Sequence, residues 1–337
     1  MTRLLLVRLG GAMKAKIIVY LLPTLILATL HFAEAQQPEK IPRIGFLAAR
    51  SPSSFSSQTE AFRQGLRELG HVEGENISIE YRYAEGNTDR FAAFATELVR
   101  LKVDVIVTAS TPGVQAAKKA SSTIPIVFAS INDPVASGLV ASLARPGGNT
   151  TGLTNLSADL DGKRLELLKE TVPKVTRVAY LWNPEAPGTG LKGMQAAAPR
   201  LGVQLLSLEA QSTADFDAVF EAALKERVQA LITLPSPLLN THHKRIVDFA
   251  AKNRLAAIYS NPVFVRAGGL MSYTPDLNAN FRRAAIFVDK ILKGAKPAEL
   301  PIEQPTKFEF LINLKSAKQI GVTITPNVLA RADKVIR

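Results

Sequence analysis

Hydroxyl, amide and carboxylate side chains recur just after short apolar runs, a placement suited to holding a small molecule. Residues 103–107 and 124–129 are two such runs, rich in β-branched residues, and they empty into Thr108, Ser110 and Thr111 and into Asn132 and Asp133. Ser51, Ser53 and Ser54 follow residues 44–48, and Trp182 and Asn183 close residues 178–182. Ser236 follows residues 230–234, Asn261 follows residues 256–259, and Tyr273 stands within residues 270–274. Hydroxyls and free backbone N–H groups at a helix start suit a carboxylate, because the partial positive charge there stabilises an anion. Ser110-Thr111-Pro112-Gly113 reads as such a start. Asp133 suits an ammonium group, and Asn132-Asp133-Pro134 equally suits a turn that caps the next helix. Ser110 and Thr111 are good caps for the same reason. Trp182, the only tryptophan, reads either as a cleft wall or as core.

No motif adds bond-breaking chemistry to this set. The chain has no cysteine, which excludes disulfides, thiolate metal sites, a cysteine nucleophile and a lipid anchor at the cleavage point. G-x-S-x-G, Walker A and H-E-x-x-H do not occur, and no paired carboxylates stand at the ends of the runs. Gly188, Gly190 and Gly193 match G-x-G-x-x-G, with Glu209 sixteen residues further on. The dinucleotide fingerprint needs those glycines in the tight turn directly after the strand, whereas residues 183–187 intervene with two prolines, so the match reads as a flexible loop. His242 and His243 are adjacent and point about 100° apart on a helix, where a shared metal needs i, i+4 spacing. No catalytic residue, metal or cofactor is expected.

The candidate residues are useful only if the runs are parallel strands, since ligands of open parallel sheets lie beyond the carboxyl ends of strands. Residues 113–122 are long enough for the helical crossover between two such strands. The same series of elements is then legible twice. The first pass has a strand at 44–48, a helix at 59–69 stopped by Gly70, a strand at 77–83, a helix at 89–101, the two runs above and a short helix at 139–143. The second has a strand at 178–182, a helix ending near 202, a strand at 203–208, a helix at 216–226, and strands at 230–234 and 256–259 around a helix at 243–253. Arg43-Ile44-Gly45-Phe46-Leu47 echoes Arg177-Val178-Ala179-Tyr180-Leu181. One α/β unit in duplicate, with a parallel sheet in each copy, is the expected fold class: two similar Rossmann-like lobes.

Residues 150–156 and 270–274 form matched extended crossings, which together describe a hinge. A helix at 276–292, a Pro-rich connection at 296–305, a strand at 308–314 and a helix at 327–336 complete the chain. The predicted lobes are 36–153 with 276–304 and 154–275 with 305–337.

Residues 1–35 read as a cleavable secretory signal, with Arg3, Arg8, Lys14 and Lys16, an apolar stretch at 17–30 and Ala33-Glu34-Ala35 before the cut. Either Met1 or Met13 serves as its start. The apolar stretch, interrupted by Pro23, falls short of the roughly 20 residues a bilayer span needs. A soluble periplasmic protein, held together by core burial without disulfides, is expected. The formal charge of +12 drops by three once the signal is removed. The longest basic runs are pairs such as Lys118-Lys119 and Arg282-Arg283 without interleaved aromatics, which reads as solvated helix faces and predicts no nucleic-acid partner. A monomer is expected.

Four segments then carry a resemblance: residues 62–86 (FRQGLRELGHVEGENISIEYRYAEG), 97–107 (ELVRLKVDVIV), 124–154 (IPIVFASINDPVASGLVASLARPGGNTTGLT) and 307–324 (KFEFLINLKSAKQIGVTI). They resemble the substrate-binding proteins of a bacterial ABC-transporter family that includes binders of aromatic amino acids, and the order of elements is similar to the type I periplasmic binding fold. The resemblance implies a small-molecule ligand enclosed between two hinged lobes and passed to an ABC permease in the inner membrane. It points to an amino acid, an aromatic one if Trp182, Tyr259 and Tyr273 line the cleft. The rival readings are a receptor that presents its ligand to a membrane sensor, and a periplasmic enzyme on the same scaffold.

Overall fold

The computed structural model describes residues 40–155, 160–186 and 191–337. The expected secretory signal and the loop glycines Gly188 and Gly190 lie outside the described residues. Among the described residues no helix is long and apolar enough to cross a membrane.

The apolar runs become strands because a strand covered on both faces must be apolar at nearly every position. In β1 (Arg43–Ala48), Ile44, Phe46 and Ala48 enter one core and Leu47 the other, as the two-residue period of a strand requires. Then come α1 (Ser56–Glu68), β2 (Ser78–Tyr83), α2 (Arg90–Arg100), β3 (Val105–Thr108), α3 (Thr111–Ala120), β4 (Ile126–Ile131) and β5 (Thr150–Thr154). These strands make an all-parallel sheet in the order β2-β1-β3-β4-β5.

The second sheet is built from β6 (Arg177–Trp182), β7 (Gln204–Glu209), β8 (Ala230–Thr233), β9 (Ala256–Tyr259), β10 (Met271–Pro275), β11 (Phe308–Asn313) and β12 (Lys334–Ile336), in the order β12-β11-β10-β9-β8-β6-β7. Its helices are α4 (Leu160–Thr171), α5 (Leu191–Ala197), α6 (Asp215–Lys225), the short α7 (Pro237–Thr241), α8 (His243–Lys252) and the short α9 (Pro262–Arg266). Along β6, Val178 and Tyr180 join the core under α4 and α5, while Ala179 and Leu181 join the core under α6 and α8.

Three expectations need correction. Residues 139–143 are not helical: Leu139 and Val140 both donate to the Pro134 carbonyl and Ala141 donates to Pro146, so their N–H groups serve a loop instead of a helical ladder. Residues 327–336 are not one helix. α12 (Pro326–Leu329) follows α11 (Leu314–Ile320), and β12 then pairs with β11, where β-branched Val335 and Ile336 complete the sheet. The second sheet is also not wholly parallel, because β11 runs antiparallel to β10. Phe308 to Asn313 arrive by a return connection, so the crossover that forces parallel pairing elsewhere does not apply.

α10 (Leu277–Leu292) leaves the second sheet and packs on the first, where Phe281, Ala285 and Val288 share a core with Phe46 and Phe62. Gly65 makes that contact possible: a Cβ there would sit 2.5 Å from the Arg282 carbonyl oxygen, so α1 and α10 approach backbone to backbone. Beyond α1, His71 Nε2 lies 2.8 Å from the buried Asp289 Oδ1 of α10, and Lys293 Nζ lies 2.8 Å from the same oxygen. Burial alone would raise the Asp289 carboxyl, but hydrogen bonds and charge from Lys293 and His71 outweigh it and hold the group below its ordinary value of 3.8. A carboxyl held low in the folded state stabilises fully above the unfolded value and loses that contribution as pH falls toward the folded one. Asp289→Asn is therefore expected to cost about 2 kcal/mol at neutral pH. Urea titrations from pH 7 down to pH 3 should show the wild-type advantage shrinking below about pH 4; an advantage that does not change with pH would contradict this account.

Candidate functional site

Each sheet has a point where neighbouring strands are followed by connections leading in opposite directions, and a crevice opens there beyond the strand ends. In the order β2-β1-β3 the crevice lies between the ends of β1 and β3, and in β7-β6-β8 it lies between the ends of β6 and β8. The first brings Ser51, Ser53 and Ser54 beside Ser110 and Thr111. The second brings Trp182 and Asn183 beside Ser236.

In the first crevice, Ser51 Oγ lies 3.2 Å from Ser53 Oγ and 2.9 Å from Ser54 Oγ, a cluster of hydroxyls ahead of α1. Ser110 caps α3, its Oγ accepting from Gly113 N at 3.2 Å, and Thr111 is the first helical residue. Thr108 Oγ1 is buried and has no hydrogen-bond partner among the described residues. A Cβ on Gly113 would lie 2.5 Å from Thr108 Oγ1 and 2.8 Å from Ser110 Oγ, so glycine is what lets both hydroxyls share this corner. After β4, Asn132 is exposed, and Asp133 Oδ1 accepts from Val135 N at 3.1 Å and Ala136 N at 2.9 Å. Its other oxygen, Oδ2, makes no hydrogen bond among the described residues.

The second sheet's strand ends are more fully committed. Ser236 is buried and caps α7, Asn261 caps α9 through Val263 N at 3.0 Å, and buried Asn183 accepts from Glu185 N at 2.8 Å. Trp182 remains half-buried, its indole N–H donating to Ser207 Oγ at 2.9 Å. Tyr273 is stacked on Phe308 at 5.3 Å between ring centres and is half-buried, and burial pushes its phenol up. Tyr259 is a correction: at 1% exposure it is stacked on Phe264 inside the core and does not line a cleft. His242 and His243 are also engaged separately, with Thr213 Oγ1 at 2.9 Å and the Asn240 carbonyl at 2.8 Å.

The chain passes between the sheets three times, after β5, after β10 and before β11, and these passages are bonded to one another. Thr154 N donates to the Glu303 carbonyl at 2.9 Å, and Asp276 N to the Lys307 carbonyl at 3.0 Å. Asn155 joins three elements: its Nδ2 donates to Ser130 Oγ at 2.6 Å, its N to Ile131 O at 2.7 Å, and its Oδ1 accepts from Asn280 Nδ2 at 3.2 Å. Arg164 of α4, 1% exposed, donates from Nε to the Tyr273 carbonyl at 2.8 Å and pairs with buried Asp161. Sequence reasoning missed this network. The one available signal was Asp161 and Arg164 three apart among the leucines of α4.

Two polar crevices on paired sheets, tied by three bonded passages, describe a two-lobed holder. A family model described as ABC transporter substrate binding protein matches residues 44–336. The chain belongs to that family. As an ABC transporter substrate-binding protein it is a binder and not an enzyme, and its fold is that of the type I periplasmic binding proteins. A tyrosine-binding protein of Clostridioides difficile is 25% identical over 287 residues, spanning 84% of this chain and 82% of the relative. A conserved domain protein of Vibrio cholerae is 27% identical with a TM-score of 0.73, covering 88% of this chain and all of its own (100%). The ABC domain of Streptococcus pneumoniae in complex with L-Trp is 25% identical, also with a TM-score of 0.73, covering 88% of this substrate-binding protein and 99% of its own chain.

Proposed function

We propose that this protein is the periplasmic receptor of an ABC importer, capturing an amino acid between its lobes and handing it to a permease in the inner membrane. The observation that carries the reading is the pair of polar crevices at the strand ends of two sheets joined by three interlinked passages. The named ligands of the relatives, tyrosine and L-Trp, make aromatic amino acids the first probes. The α-carboxylate sits at the start of α3 near Ser110 and Thr111, where the helix end favours an anion. The α-ammonium takes Asp133 Oδ2, the carboxylate oxygen not engaged in its own turn. Closure follows because only the closed state lets the ligand touch both lobes, so binding shifts the population toward it.

Calorimetric titration with L-Trp and L-Tyr, paired with small-angle scattering, tests this reading. Binding with a smaller radius of gyration is expected. Failure of both amino acids to bind, or binding without compaction, would overturn it. Asp133→Asn keeps a side-chain oxygen for the turn but removes the charge. It should weaken affinity about tenfold or more with little change in melting temperature.

A further inference from the structure

A cavity of about 480 Å³ lies along the third passage and is lined by none of the crevice residues. Leu69 at the end of α1, Leu153 of β5 and Ile286 of α10 give it an apolar floor, and Arg282, Arg283 and Lys307 stand around it. The third passage supplies Glu303, Gln304, Thr306 and Lys307, while Leu153 stands just before the first passage and Asn280 just after the second. The two guanidiniums are already held. Arg282 forks onto Glu68, with Nε to Oε2 at 2.8 Å, and Arg283 forks onto Glu303 at 2.7 and 2.8 Å. The Lys307 ammonium makes no ion pair or hydrogen bond among the described residues. Three cations thus face two carboxylates around an apolar floor, in a space within the range of small-molecule sites.

Glu303 connects this cavity to the hinge. Its N–H donates to the Gly152 carbonyl at 3.0 Å, its carbonyl accepts from Thr154 N at 2.9 Å, and its carboxylate holds Arg283 on α10. An occupant lodged between Lys307, at the entry to β11, and Leu69 and Ile286, on the first lobe, bears on the segments that must flex when the lobes move.

We propose that this cavity is an effector site for a small organic anion with an apolar body, its carboxylate on Lys307 and its body on Leu69, Leu153 and Ile286, and that occupancy alters affinity in the crevice. The coupling rests on the hinged-receptor reading; the occupancy does not. By linkage the effect is reciprocal.

Hexanoate and its uncharged analogue hexanamide are suitable probes, with isoleucine methyl NMR as the readout and Ile286→Val to assign the signal. Hexanoate is expected to shift the Ile286 methyl saturably, hexanamide much less, and Lys307→Gln to abolish the difference. Saturating hexanoate should change the affinity for L-Trp at least threefold. No saturable shift, an equal response to hexanamide, or a response that survives Lys307→Gln overturns the site. Saturation with unchanged L-Trp affinity, in protein that still binds L-Trp and compacts, overturns the effector role. If neither L-Trp nor L-Tyr binds and compacts the protein, the receptor reading fails instead, and the Ile286 titration still decides occupancy; if only L-Tyr binds, the effector test is read with L-Tyr.

Discussion

Gly152→Ala is expected to be among the most damaging single-methyl changes in the chain. Gly152 lies in β5 opposite Phe128 with φ at +145°, a conformation that residues with a side chain rarely adopt. A Cβ there would overlap the Phe128 carbonyl oxygen and lie 2.7 Å from the Phe128 nitrogen. Both groups are backbone in a buried sheet, so neither can swing aside as a side chain would. Strain and collision together should cost about 4 kcal/mol or more, and thermal melts should fall by roughly 10 °C. Because the Gly152 carbonyl also receives Glu303 N, the folded fraction of the variant should bind ligand more weakly as well. A melting temperature within about 2 °C of wild type would mean that β5 relaxes without loss.

Arg164→Met should come next. It removes one member of an ion pair whose side chains are 1% and 3% exposed, and it leaves the Asp161 carboxylate buried without its cation. Breaking such a pair on one side costs about 3–5 kcal/mol, whereas replacing both members with apolar residues of similar size is often neutral. Arg164→Met combined with Asp161→Leu should therefore recover much of the loss, and urea denaturation of the single and double variants measures the coupling. A single variant that costs less than about 1 kcal/mol would show that water already reaches the pair. The Tyr273 carbonyl loses its donor in both variants, so any change in ligand affinity common to the two reports on the second passage.

Several of these features were open to a reader of the sequence and several were not. The paired α/β units were visible because strands buried on both faces must be continuous apolar runs, and Ile44 to Ala48 or Ala256 to Tyr259 have no other reading. The cap at Ser110 was visible for the same local reason, because Ser110-Thr111-Pro112-Gly113 reads as a helix start; Ser236 and Asn261 read only as strand-end contacts, and the short helices they cap were not expected. Strand order is not local. That Ser51 and Ser110 flank one crevice, and Asn183 and Ser236 the other, depends on β1 and β6 lying inside their sheets. Residues 327–336 misled because Val335 and Ile336 suit a helix end or a strand equally, and only the free edge of β11 decides between them. Tyr259 misled in another way: its place at a strand end says nothing about which way the ring turns, and Gly269, where a Cβ would stand 2.5 Å from that ring, is what makes room for it in the core.

The return of α10 to the first lobe also governs how the chain can fold. All five strands of the first sheet are made by Thr154, yet one of their two faces has no complete cover until Phe281, Ala285 and Val288 are synthesised. The ties that seal it span 214 residues from Glu68 to Arg282 and 218 from His71 to Asp289. Contacts so distant in sequence must overcome loop-closure entropy before they return any stability, which makes folding slow. The emerging polypeptide therefore carries a half-covered, sticky sheet from the completion of β5 at Thr154 until Val288 is in place.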